Sequence, residues 1–205
     1  MAELLQSFSG NHGLPENVLE QLGLYLELLL RWNARTNLTA IRDPEQIVTR
    51  HFGESLLAAR LLFPQPQSSD LTAADVGSGA GFPGIPIKLW APKAMVTLLE
   101  SQNKKATFLR EVLRALKLER AEVFCGRAES WGQTADLVTL RAVEHFEKTL
   151  PLAARLVRPK GRLCLLIGSS QLDRARGLLP GIWTWRDPVT IPMSTGRVTA
   201  IAERC

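Results

Sequence analysis

The residues best placed to do chemistry are Asp75-Val76-Gly77-Ser78-Gly79-Ala80-Gly81, which close a short apolar run beginning at Leu71. Glycines at this spacing let the backbone turn tightly and approach a ligand with no Cβ in the way. A strand that ends in such a turn puts the ligand at the carboxyl edge of a sheet, where open α/β sheets bind their ligands. Glu100 is the second landmark. It ends the next strand-like run, 19 residues past Gly81. A carboxylate there can accept hydrogen bonds from both ribose hydroxyls of a nucleoside cofactor.

Two cofactor classes fit a glycine turn. Gly79-Ala80-Gly81-Phe82-Pro83-Gly84 satisfies the G-x-G-x-x-G dinucleotide pattern formally. Yet Pro83 and Pro86 stand where a pyrophosphate-binding helix should begin offering free amide N–H groups. Asp75, two positions before the first glycine, suits a cationic sulfonium better than a pyrophosphate. S-adenosylmethionine carries a sulfonium and no phosphate, so it needs no such helix end and is the cofactor expected. A dehydrogenase would instead bind NAD.

The elements that must position these groups can be read from periodicity. Strand-like runs at 71–76, 95–99, 121–124, 137–140, 161–167, 183–186 and 197–203 alternate with helical stretches at 104–118 and 146–157. This is the pattern of an α/β fold: a central, mostly parallel seven-stranded sheet with helices on both faces. Residues 1–63 read as a helical extension, and 64–205 as one compact Rossmann-like domain. Within the extension, Val18, Leu22, Tyr25, Leu29 and Trp32 share one helix face, with Pro15 as the expected first helical residue. Asp43 is the expected N-cap of a second helix, with Pro44 at its first position. That helix should run through Ile47, Val48 and His51 towards Leu61. Residues 63–70, rich in proline and serine, read as a linker.

Composition narrows the class. Hydrophobic residues make up 45% of the 205 and charged residues 22%, which indicates a globular chain and not a disordered one. No apolar run reaches the ~18 residues a transmembrane helix needs, and residues 1–10 lack the pattern of a signal peptide. Cys125, Cys164 and Cys205 have no C-x-x-C spacing, and His12, His51 and His145 do not cluster with them. Neither a metal site nor a disulfide framework is expected, the location should be cytoplasmic, and Cys125 and Cys164 should be buried. The net charge of +5 is compatible with nucleic-acid binding.

The string Asp75 to Pro86, D-V-G-S-G-A-G-F-P-G-I-P, resembles the signature of the glucose-inhibited division protein B family, the RsmG methyltransferases. Other pieces agree in order and spacing: Trp32-Asn33 with Thr36 to Ala40, Arg50-His51-Phe52 with Ser55-Leu56, Leu98 to Ser101 with Lys104 to Leu109, Arg127-Ala128-Glu129, and Leu140 to Val143. The resemblance covers roughly residues 14–167. It implies an S-adenosylmethionine-dependent enzyme that methylates N7 of a guanine in the decoding-region loop of bacterial 16S rRNA, with S-adenosylhomocysteine as product. The small ribosomal subunit would be the partner and a monomer the active form.

By the same resemblance Asp75, Gly77, Ser78, Gly79, Gly81 and Phe82 line the cofactor, Glu100 holds the ribose, and Ala128 with Glu129 meets the adenine. Arg141 lies nearest cofactor and target, with Asn37, His51 and Arg127 near the guanine or the RNA. Three positions depart from the family pattern: Gly53 inside a helix, Glu54 where aspartate is usual, and Leu140 in place of serine. Guanine N7 has an in-plane lone pair and no proton, so the enzyme must align it with the S–CH₃ bond and needs no general base. Alternatives stay open residue by residue. Arg141 can bond the guanine edge or a phosphate, or form a salt bridge to Asp75 or Glu100; Arg127 has the same choice. His51 can be a capping or core histidine, and Asn37 can cap a turn. A small-molecule methyltransferase and a non-enzymatic nucleotide- or RNA-binding module are the competing functions.

Overall fold

The computed structural model describes residues 1–10, 13–64, 70–143 and 145–205. Most of the expected linker (65–69) and His12 lie outside these residues. The helices are α1 (Ala2–Ser9), α2 (Glu16–Asn33), α3 (Pro44–Ile47), α4 (Glu54–Leu62), α5 (Gly84–Trp90), α6 (Asn103–Ala115), α7 (Phe146–Arg155) and α8 (Leu172–Leu178). The strands are β1 (Thr72–Val76), β2 (Met95–Glu100), β3 (Ala121–Cys125), β4 (Ala135–Arg141), β5 (Val157–Gly168), β6 (Trp183–Trp185), β7 (Val189–Thr190) and β8 (Arg197–Arg204).

Among the described residues all eight strands join one sheet in the order β3-β2-β1-β4-β5-β8-β6, with β7 paired to β8. β1 to β5 are mutually parallel, and β8 runs antiparallel to β5, β6 and β7. Periodicity predicts seven strands. The eighth, β7, is two residues long and too short to leave a periodic signal. Strand order reverses between β1 and β4, which opens a crevice at their carboxyl ends.

Alternation along the strands feeds two cores. Ala73, Leu98, Leu137 and Cys164 face the layer of α2, α4, α5 and α6, while Ala74, Leu99, Val138, Leu163 and Leu165 face α7 and α8. Helices therefore cover both faces, as the alternating pattern requires. The N-terminal helices pack on the first layer, α2 against α6 and α4 against α5. Pro15 stands just outside α2 as its N-cap residue, one position earlier than expected. Asp43 caps α3 as expected, accepting from the Gln46 amide at 2.8 Å. Among the described residues no helix is long and apolar enough to cross a membrane.

The expected continuous helix from Pro44 to Leu61 is interrupted by a π-helical segment, Val48–Gly53. The segment ends at Gly53, one of the unusual positions. A Cβ there would sit 2.7 Å from the Phe8 ring. The glycine admits α1, and Phe8 packs with Leu57 and Ile191 in a small core of its own.

Candidate functional site

The loop after β1 is held from the sheet side. The amides of Gly77 and Ser78 both donate to the Leu99 carbonyl, at 2.9 and 3.1 Å. The Gly79 amide donates to Glu100 Oε2 at 2.9 Å, while Glu100 Oε1 accepts from the Gln102 amide at 2.8 Å. Gly77 and Gly79 have φ of +66° and +57°, a region that glycine enters without strain. Glu100 is 5% exposed at the end of β2. Its oxygens keep lone pairs beyond the two backbone bonds, so it retains acceptor capacity towards the crevice.

Asp75 is bonded within the protein. Its Oδ1 accepts from Thr139 at 2.7 Å and its Oδ2 from the Gly84 amide at 3.1 Å, so both oxygens are engaged inside the protein. Burial raises its pKa and these donors oppose the rise. The carboxylate ties β1 to β4 and to the start of α5. This arrangement also bears on the dinucleotide alternative. The Gly84 amide goes to Asp75, the Ile85 amide to the Gly81 carbonyl at 2.9 Å, and Pro86 has none. The first turn of α5 offers no free donor for a pyrophosphate.

Beside the loop stands a group of rings. Phe82 is stacked with His51 at 4.9 Å and with Tyr25 at 5.3 Å between centroids, and Phe52 meets it edge-on at 5.2 Å. The Arg141 guanidinium lies 5.9 Å from the Phe82 centroid. His51 is brought here by a network the sequence reading did not assemble. Asn33, 3% exposed, accepts from the amides of Leu38 and Thr39 and donates to the Thr39 carbonyl. The loop so formed sets Thr39 Oγ1 at 2.7 Å from His51 Nε2. Burial, then the charges of Arg141, Arg50 and Arg197, push the His51 pKa down to about 3. The ring is neutral near pH 7.

Arg141, at the end of β4, does not reach Asp75 or Glu100. Its Nη2 donates to the Arg50 carbonyl at 2.7 Å and to Glu54 Oε2 at 3.1 Å. Arg197, at the start of β8, donates to the same oxygen at 2.8 Å. Glu54 is thus the anionic centre of a buried Arg-Glu-Arg cluster. Leu140, the third unusual position, is 1% exposed in the core under α7 and α8.

The remaining candidates are placed apart from this cluster. Asn37 is exposed and its Oδ1 accepts from Arg42 at 3.0 Å. Arg127 and Glu129 are exposed and Ala128 half-buried at the short 3-10 turn after β3. Cys125, expected buried, is partly exposed, and its thiol donates to Asn103 Oδ1 at 3.0 Å. Cys164 is fully buried, and burial pushes its thiol up to about 12. Among the described residues no three His, Cys, Asp or Glu side chains gather as a metal site would require.

Buried His51 Nδ1 and Arg141 Nε, on side chains beside Phe82, lack a partner, as does Oε1 of Glu54, the carboxylate bonded to Arg141. Buried polar atoms normally find partners, so such a concentration marks a place where a ligand can supply them. The Arg141–Glu54–Arg197 cluster leaves one net positive charge beside a neutral His51, which favours a ligand that brings acceptors.

A parallel sheet with this strand order, a glycine turn at its reversal point and a carboxylate ending the adjacent strand together define a Rossmann-like methyltransferase. The solved structure of ribosomal protein L11 methylase from Lactobacillus delbrueckii subsp. bulgaricus shares the fold, with a TM-score of 0.61 at 16% identity over 76% of this chain and 78% of that one. The family is narrower. The GidB family, described as rRNA small subunit methyltransferase G, matches residues 18–178, and the chain belongs to it. Ribosomal RNA small subunit methyltransferase G of Xanthomonas euvesicatoria is 41% identical over 184 residues, 88% of this chain and 84% of that protein. The protein of the same name from Stenotrophomonas maltophilia is 38% identical over 200 residues, 96% and 91% of the two chains.

Proposed function

We propose that this protein transfers the methyl group of S-adenosylmethionine to N7 of a guanine in small-subunit ribosomal RNA. The observation that carries the reading is the crevice between β1 and β4, where the glycine loop, Glu100, Phe82 and Arg141 converge in a member of this family. The residues present fit the cofactor. Glu100 would hold the ribose hydroxyls, Gly77 and Gly79 would let the loop approach closely, and Ala128 with Glu129 would flank the adenine. Asp75 would act from behind, by fixing the loop. When bound, the cofactor supplies an electrophilic methyl group.

The chain's own residues then have to orient and exclude water. Arg141 and His51 line the wall formed by Phe82, and the unpaired Arg141 Nε can donate to the acceptor-rich Hoogsteen edge of guanine. His51, with its conjugate acid at about 3, is too weak a base to be asked for a proton, and N7 has none to give. Positioning of this kind can lower a barrier by roughly 7–11 kcal/mol. Asn37 and Arg127, both exposed, would meet RNA backbone outside the crevice. In this reading residues 1–63 are an extension that completes the target side of the 64–205 domain.

The test uses labelled S-adenosylmethionine and small subunits that lack their N7-methylguanine. Label should appear on one guanine N7 and be lost in Arg141→Ala while cofactor binding persists. If cofactor binds but no ribosomal RNA is labelled, the RNA acceptor is refuted and a small-molecule acceptor becomes the reading to test.

A further inference from the structure

The chain has a single tyrosine, Tyr25 on α2, and the catalytic reading above makes no use of its hydroxyl. The side chain is fully buried. Its hydroxyl donates to the carbonyl of Ala80, 55 residues away in the middle of the glycine loop. Its ring stacks on Phe82, with an interplanar angle of 16°, and meets Phe52 edge-on at 5.1 Å. A phenylalanine would fill this space and keep every ring contact. What the hydroxyl adds is one bond, directed at the loop backbone.

The loop is shaped to receive it. Gly81 has φ of +92°, and a Cβ there would collide with the Tyr25 hydroxyl and with Ile85. Gly81 is therefore needed for the close approach of α2 as well as for its own backbone angle. Burial keeps the phenol protonated, with its pKa well above the usual value, so it remains a donor at any working pH. The loop is consequently pinned from two sides. Leu99 and Glu100 hold Gly77, Ser78 and Gly79 from the sheet, and Tyr25 holds Ala80 from the helical layer.

We propose that Tyr25 is a positioning residue of the cofactor site: by bonding Ala80 and stacking on Phe82, helix α2 sets the shape of the glycine loop and with it the affinity for the nucleoside cofactor. This deepens the function proposed above and rests on its assignment of the crevice to S-adenosylmethionine.

The variant is Tyr25→Phe in the full chain, with Leu22→Val as the control on the same helix. Two readouts are taken. One is amide hydrogen exchange of the peptide covering 77–82 without ligand. The other is the dissociation constant for S-adenosylmethionine, with kcat measured at saturating cofactor. Loss of one buried hydrogen bond should speed loop exchange and weaken cofactor binding, each about tenfold. Saturating kcat and affinity for the RNA should stay within about twofold, since Tyr25 touches neither. Leu22→Val should lower global stability and leave both loop readouts unchanged. Unchanged loop exchange in Tyr25→Phe, or faster exchange with unchanged cofactor affinity, overturns the proposal. If the wild-type chain binds no S-adenosylmethionine, the functional reading fails, and loop exchange alone still decides whether Tyr25 positions the loop.

Discussion

Replacing Glu54 by glutamine keeps size and shape and removes one charge. That carboxylate, 1% exposed, is the common acceptor for Arg141 and Arg197, at 3.1 and 2.8 Å. Without it two guanidinium groups remain beside each other with no anion. Breaking a buried ion pair from one side costs about 3–5 kcal/mol. Arg141 has a side chain 9% exposed and cannot recover its hydration, whereas Arg197 at 22% can do so in part. The lower end, ~3 kcal/mol, is therefore expected. At about 2–4 °C per kcal/mol for a chain of this size, the melting point should fall by about 10 °C.

Urea unfolding with an unchanged m-value measures that cost directly. A second variant sharpens the test. Arg197→Met in the Glu54→Gln background removes the surplus cation, so the double variant should lose less than the sum of the two single variants, by at least ~1 kcal/mol. A Glu54→Gln cost below ~1 kcal/mol, or strictly additive costs in the double variant, would refute the picture of a charge-coupled cluster. Such clusters are often no more stabilising than apolar packing. The value of this one lies in aim: it ties β4, β8 and the π-helical segment so that Arg141 stays beside Phe82. Methyl transfer by Glu54→Gln should accordingly fall in kcat with little change in cofactor affinity.

Two further perturbations follow from the same contacts. His51 has its pKa depressed to about 3 from an ordinary 6.5, so the unfolded chain binds the extra proton as pH falls below 6.5 and stability drops through the window from 6.5 to 3. Between pH 7 and pH 5 the loss assignable to this residue is about 2 kcal/mol, read as the difference between wild type and His51→Gln; identical pH slopes would sink the assignment. Gly53→Ala places a methyl group 2.7 Å from the Phe8 ring and should cost about 1–3 kcal/mol in thermal or urea unfolding, with much of it recovered by adding Phe8→Leu. No recovery in the double variant would mean that the π-helical backbone itself, not Phe8, demands the glycine.

The parts of the site that were legible in the sequence are those set by local geometry. A glycine turn and a carboxylate at the end of the next strand are written within about 25 residues, and they are specific because so few residue types tolerate that backbone. The direction of a side chain is not written locally. Asp75 sits in the motif, yet both of its oxygens are taken by donors remote from it in sequence or beyond the glycines, Thr139 and the Gly84 amide. Partners at long separation were invisible as well. Asp75 and Glu100 are the salt-bridge partners the sequence offers Arg141 as an alternative to RNA, yet its carboxylate partner is Glu54, 87 residues away, with Arg197 a further cation on the same oxygen. Family resemblance marked Gly53 and Glu54 as unusual without saying why. Both are explained only when α1 and β8 are in place: the glycine makes room for Phe8, and the longer carboxylate serves two arginines at once. Glu54 and the Arg50 carbonyl, brought by the N-terminal helical layer, thus fix Arg141 beside Phe82, and β8 adds the second arginine to the same carboxylate.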